Sequence, residues 1–155
     1  LSLMSMSLPR LILYAEDDPN DAFLLQRAWE KVGITWPLRV VHDGQEAIAY
    51  LAGSPPFSDR MRYPLPALLL LDLKMPRKTG LEVLKWVRAE SPMPTLPVLM
   101  LTSSSQETDV HRAYALGANG YLVKPNDPRE LLTMVDAIRA YWVQQNCVEA
   151  RRDEP

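Results

Sequence analysis

Five short, largely apolar runs punctuate the chain, and each stops at a polar residue or a turn. The central one is Leu68-Leu69-Leu70-Leu71, which ends at Asp72. A run of this length is too short for most helices and suits a strand buried on both faces of a parallel sheet. A buried strand does not carry an unpaired carboxylate into its interior, so Asp72 belongs at the carboxyl end. Leu11 to Ala15 runs in the same way into Glu16-Asp17-Asp18, and Leu38 to Val41 into His42-Asp43-Gly44. Val98 to Leu101 leads to Thr102-Ser103-Ser104-Ser105, and Gly120 to Val123 leads to Lys124-Pro125.

Helical periodicity fills the spaces between these runs. Asp18-Pro19 reads as an N-cap followed by a first-turn proline. The helix it opens places Leu24, Leu25, Ala28, Trp29 and Val32 on one face and stops at Gly33. A short helix after Gly44 turns Ala47, Ile48 and Leu51 inward, and another after Gly80 turns Leu81, Leu84 and Val87 inward. Val110, Ala113, Tyr114 and Leu116 mark the fourth helix, which Gly117 stops. Asp127-Pro128-Arg129-Glu130 opens the last, with Leu131, Val135, Ile138 and Trp142 inward. Met134 and Tyr141 lie on one flank of that stripe and Leu132 on the other, an expected exposed apolar edge. Pro55, Pro56, Pro64 and Pro66 exclude regular structure between the second helix and the third strand. A long surface loop is expected there, with a turn around Ser58 to Met61.

Strand and helix alternate five times. Right-handed crossovers then place helices on both faces of a parallel sheet. The expected fold is α/β, a flavodoxin-like, doubly wound five-stranded sheet in the order 2-1-3-4-5 with five helices. With 155 residues, 47% of them hydrophobic, the chain has material for one domain. That domain is placed at residues 10–145, between an N-terminal tail at 1–9 and a C-terminal tail at 146–155. A formal net charge of −2 gives no electrostatic reason to expect nucleic acid. Cys147 is the single cysteine, which excludes an intrachain disulfide and is compatible with a reducing compartment. No apolar run approaches the length of a membrane span, so the expectation is a soluble, cytoplasmic protein with no membrane partner.

The strand ends carry the chemistry. In the expected order, Asp17, Asp72 and Thr102 converge at one edge of the sheet with Lys124 beside them. Carboxylates suit a hard divalent cation such as Mg2+. A hydroxyl and an ammonium suit phosphoryl oxygens. Together they suit phosphoryl transfer, in which positioning and charge neutralisation do most of the catalysis. Without a metal, Glu16, Asp17 and Asp72 repel one another, and at least one carboxyl pKa should rise. His42 and His111 sit at no such strand end and read as surface histidines.

These residues, spread from Arg10 to Trp142, resemble the receiver domain of two-component response regulators. The resemblance implies that Asp72 is the phosphoacceptor, Thr102 the switch hydroxyl, Lys124 the phosphate-pairing lysine and Tyr121 the switch aromatic. It implies Mg2+ held by Asp17, Asp72 and the backbone carbonyl of Lys74, with Glu16 acting through water. It also implies a cis Lys124–Pro125 peptide bond, a sensor histidine kinase as phosphodonor, and Lys74 and Ser104 flanking the path of the hydrolytic water. On this reading the protein is a phosphoacceptor signalling protein rather than an enzyme. Loop 53–66 and the sequence Asn126-Asp127-Pro128 are similar to the regulators paired with phytochrome-type histidine kinases, although many relatives carry an aromatic where this chain has Asn126.

Three other readings compete. A flavin carrier of the same fold needs small and hydroxyl residues after the first strand, where Glu16-Asp17-Asp18 would repel a phosphate. A haloacid-type phosphatase needs a second aspartate two positions beyond Asp72, where Lys74 stands. A receiver-like interaction module that is not phosphorylated stays open, because all the acceptor groups are present. Only about a dozen residues follow Trp142, so the expected form is a stand-alone regulator whose output is association with another protein or a phosphorelay step. A homodimer through the last helix and the fifth strand is the simplest case.

Overall fold

The computed structural model describes residues 10–145. The expected tails at 1–9 and 146–155, with Cys147, lie outside the described residues. Five parallel strands, β1 (Ile12–Ala15), β2 (Leu38–Val41), β3 (Leu68–Leu71), β4 (Val98–Thr102) and β5 (Gly120–Val123), form one sheet in the order β2-β1-β3-β4-β5. Between and after them run α1 (Pro19–Val32), α2 (Gly44–Ala52), α3 (Gly80–Ala89), α4 (Glu107–Ala115) and α5 (Pro128–Ile138). A π-helical turn, Arg139–Gln145, extends α5. No helix among the described residues is long and apolar enough to cross a membrane.

The continuous apolar runs are explained by the two faces they fill. Side chains alternate along a strand. Leu69 and Leu71 accordingly join Leu13, Val98 and Met100 in one core, with Val83, Leu84 and Val87 of α3. Leu68 and Leu70 join Ile12, Tyr14, Leu99 and Leu101 in the other, with Leu25 and Trp29 of α1 and Val135 and Ile138 of α5. All four leucines of β3 are buried. Burying each contributes about 2 kcal/mol relative to exposure.

Helix ends follow the local signals. The carboxylate of Asp18 accepts from the Asn20 and Asp21 amides and caps α1, Asp43 caps α2, Thr79 caps α3 and Asp127 caps α5. Several facing assignments shift. Leu24 and Tyr114 are exposed, because α1 and α4 cover the sheet with narrower stripes than their periodicity predicts. Tyr50 and Val83, absent from the predicted stripes, are fully buried. On α5, Leu132 and Met134 pack partly against the core, which leaves Tyr141 as the exposed member of the expected flank.

The proline-rich loop 53–66 is bound closely to the body, with its turn near the expected place. Phe57 is buried and stacks with Tyr50 and Tyr63 at ring distances of 5.1 and 5.2 Å. Arg60 donates to the carbonyls of Tyr50 and Leu51, each at 2.8 Å, and so gives the Leu51 carbonyl at the end of α2 a partner and the Tyr50 carbonyl a second one besides the Gly53 amide. Arg39 reaches from β2 to the carbonyl of Arg62 at 2.9 Å.

Candidate functional site

Register brings the polar strand ends together. Ala15 pairs with Leu71, and Leu71 with Met100. The ladder continues one residue further, since the Asp72 amide donates to the Ala15 carbonyl at 3.1 Å. Glu16 and Asp72 therefore emerge side by side, and Thr102 ends the neighbouring strand. The Lys124 amide donates to the Thr102 carbonyl at 2.8 Å, which puts the lysine at the same edge.

Glu16, Asp17 and Asp72 each offer a carboxylate oxygen, and these oxygens lie within 4.8 Å of one another. Glu16 and Asp72 are buried, while Asp17 is exposed. Oxygen-only donors at this spacing fit a hard divalent cation. Both Glu16 oxygens already have partners. Oε1 accepts from the Tyr14 hydroxyl at 2.9 Å and from Lys124, and Oε2 accepts from the Asp18 amide at 3.2 Å. Asp72 Oδ1 accepts from the Leu73 amide at 2.7 Å, and its Oδ2 accepts from Lys124 Nζ at 3.3 Å. Lys124 also donates to Asp21 Oδ2 at 2.9 Å.

The crowding moves protonation equilibria. Burial, then the hydrogen bond and charge of Asp72, push the Glu16 carboxyl up to about 7 against the opposing pull of Lys124. Burial alone would lower the Lys124 pKa, but its bonds to Glu16 and Asp21 and the charge of Asp72 outweigh burial and hold it above the ordinary lysine value. Burial and the Glu16 charge raise the Tyr14 phenol, which stays a neutral donor.

Thr102 is buried, and its hydroxyl accepts from the Ser104 amide at 3.4 Å. Tyr121 is half-buried, and its hydroxyl donates to the Ser104 carbonyl at 2.8 Å, which ties β5 to the β4–α4 loop. Ser104 Oγ donates to Asp109 at 2.5 Å. The Lys74 side chain is exposed on the loop after β3. His42 and His111 are exposed, and His42 contacts Glu46 at 3.2 Å.

The Lys124–Pro125 bond is trans, which corrects the expectation of a cis bond. Among the described residues the cis peptide bond is Pro55–Pro56. One residue past the end of β5, the Lys124 amide is still tied to the Thr102 carbonyl of β4, and from there the lysine side chain reaches Asp72 across a trans peptide.

Three further side chains support the site. Asp21 holds Lys124, and its place one turn into α1 after the acidic triplet was the available signal. Tyr14 looked like one more core residue. Asp43 caps α2 through the Glu46 amide at 2.7 Å and also accepts two bonds from Arg77, at 3.0 and 2.7 Å. No local pattern pairs residues so far apart in sequence.

A family model described as the response regulator receiver domain matches residues 12–136. The chain is 35% identical over 138 residues to the probable methanogenesis regulatory protein FilR2 of Methanothrix harundinacea, covering 89% of this chain and 86% of that protein. It is 35% identical over 136 residues to the response regulator Rcp1 of Synechocystis, covering 88% and 90% of the two chains. The Mn2+-bound crystal form of Rcp1 superposes with a TM-score of 0.82 at 34% identity, over 92% of this chain and all of that one. The phosphorylated cyanobacterial phytochrome response regulator RcpA superposes with a TM-score of 0.84 at 29% identity, over 92% and 100%. Sheet order, polar strand ends and sequence agree, and the chain belongs to the receiver domain family of response regulators.

Proposed function

We propose that this receiver, spanning residues 10–145, takes a phosphoryl group from a sensor histidine kinase onto Asp72. One observation carries the reading: the Lys124 ammonium lies 3.3 Å from Asp72 at the edge where the oxygens of Glu16, Asp17 and Asp72 converge within 4.8 Å. Asp72 attacks phosphorus in line. A P–O bond forms, the P–N bond to the donor histidine breaks, and the imidazole leaves with the electron pair. Lys124 pairs with a phosphoryl oxygen, and Thr102 donates to another once its contact with the Ser104 amide is released. Asp17, Asp72 and the Lys74 carbonyl would hold Mg2+, with Glu16 acting through water, which suits a side chain whose own oxygens are already engaged. The cation supplies charge neutralisation for the crowded oxygens. The Mn2+-bound form of Rcp1 supports a divalent site in this family. Lys74 and Ser104 flank the path of the water that later removes the phosphoryl group.

The output follows from Tyr121. Its bond to the Ser104 carbonyl links the loop beside Thr102 to β5, so a local charge event is transmitted to the surface of α4, β5 and α5 as a population shift. The donor is a cytoplasmic kinase of the phytochrome-linked type, in line with the resemblance to Rcp1 and RcpA. The readout is self-association through α5 and β5. Incubation with acetyl phosphate and Mg2+, read by intact mass, tests the acceptor. Wild type gains the mass of one phosphoryl group and Asp72→Asn does not; equal labelling of both would reject Asp72.

A further inference from the structure

Lys124 has more acidic company than the proposed phosphoryl chemistry uses. An ammonium has three protons, and here they serve Glu16, Asp21 at 2.9 Å and Asp72 at 3.3 Å. Glu16 and Asp72 belong to the converging carboxylate set with Asp17, and Asp21 does not. Asp21 projects from the first turn of α1, and among the described residues Lys124 is the cation paired with it.

We propose that Asp21 is a positioning residue that draws the Lys124 ammonium toward α1 and so competes with the phosphoryl group for it. The inference rests on the reading of Asp72 as phosphoacceptor. Two effects act with the same sign. The Asp21 contact occupies a proton that a phosphoryl oxygen needs, and the Asp21 charge repels an anion arriving at Asp72. The Lys124 side chain is only 14% exposed, which keeps the pair partly out of water, whereas Asp21 at 36% still faces solvent, where salt screens its charge. Glu16 stays within the site after loading, because its oxygens are held by Tyr14 and the Asp18 amide as well. Asp21 has no such second tie among the described side-chain bonds, so it sets how readily Lys124 is released.

The test uses the full chain and beryllofluoride, a phosphoryl mimic, titrated calorimetrically in excess Mg2+. Asp21→Asn removes the charge and should tighten binding about fivefold, the scale of one partly exposed ion pair. Asp21→Glu keeps the charge and should return the affinity toward wild type. Raising ionic strength should narrow the gap between wild type and the Asn variant, which a purely structural role would not produce. Asp21→Ser provides a second neutral variant if the Asn protein melts early. A folded neutral variant that binds no more tightly than wild type overturns the inference while leaving Asp72 as acceptor. Absence of binding to wild type itself overturns both.

Discussion

Glu16 is an acid held out of water beside a second carboxylate. Its pKa is raised to about 7 from an unfolded value of 4.5, chiefly by burial. Between these values the folded chain binds more protons than the unfolded chain, so stability falls as pH rises. This contribution is fully present below pH 4.5 and is lost as pH passes 7. In EDTA, the wild-type melting temperature should therefore drop between pH 5 and 8, by several degrees for each kcal/mol lost. Glu16→Gln should flatten that slope. Thermal melts across this pH range check it, and parallel slopes in the two proteins would reject the Glu16 assignment. Crowding of carboxylates was expected from the three acidic strand ends. That Glu16 carries the shift follows from its complete burial between Tyr14 and Lys124.

At the level of elements, the β3–α3 loop is held against α2 by a compact device. Arg77 adopts φ 66, a left-handed conformation that disfavours a side chain by about 1–2 kcal/mol. Its guanidinium grips Asp43, whose carboxylate also caps α2. Backbone runs close on both sides of this pair. A Cβ at Gly44 would lie 2.0 Å from the Lys78 carbonyl, and one at Gly80 would lie 2.1 Å from the Asp72 carbonyl. Asp43 is held below the ordinary carboxylate range, because bonds from the Glu46 amide and Arg77 outweigh burial. Asp43→Ala removes both the cap and the pair and should cost about 2 kcal/mol in urea unfolding. Arg77→Ala, from a largely exposed side chain, should cost about 1 kcal/mol or less. Equal losses in the two variants would show that the cap contributes nothing. The loop carries Lys74, so Asp43→Ala should also weaken Mg2+ binding.

For the whole molecule, the β5 edge is where association would occur. Tyr114 on α4, Val123 on β5 and Tyr141 after α5 are 50%, 42% and 56% exposed. Exposed apolar side chains beside an edge strand suit a contact surface, and on the proposed readout a two-fold pairing would close it. Tyr141 stacks edge-on against Trp142 at 5.0 Å, which holds it outward. Tyr141→Glu should weaken the dimer at least about tenfold, as expected for a central aromatic anchor. It should leave phosphorylation of Asp72 unchanged. Sedimentation at tens of micromolar with and without beryllofluoride reads the result. A wild-type monomer in both conditions would move the output to another partner.

The sequence alone determined what local physics controls. Short apolar runs, aspartate caps and glycine stops define strands of four or five residues and their helices, and their alternation leaves a doubly wound parallel sheet. Because a buried strand excludes an unpaired charge, it also located Glu16, Asp17, Asp72, Thr102 and Lys124 at the strand ends. Tertiary structure decided everything that depends on two distant segments meeting. Asp21 finds Lys124 only when α1 crosses behind the site, and Asp43 finds Arg77 only when α2 packs beside the β3–α3 loop. Arg60 and Phe57 fasten a proline-rich segment that no periodicity could place. Leu24, Tyr114 and Met134 moved between core and surface because the width of a helix's buried stripe is set by its neighbour. Lys124–Pro125 is trans, and the lysine that reaches Asp72 is anchored by its backbone contact with β4. Residue types and local spacing determine which groups reach the edge of the sheet, whereas the packing of helices against it decides their partners.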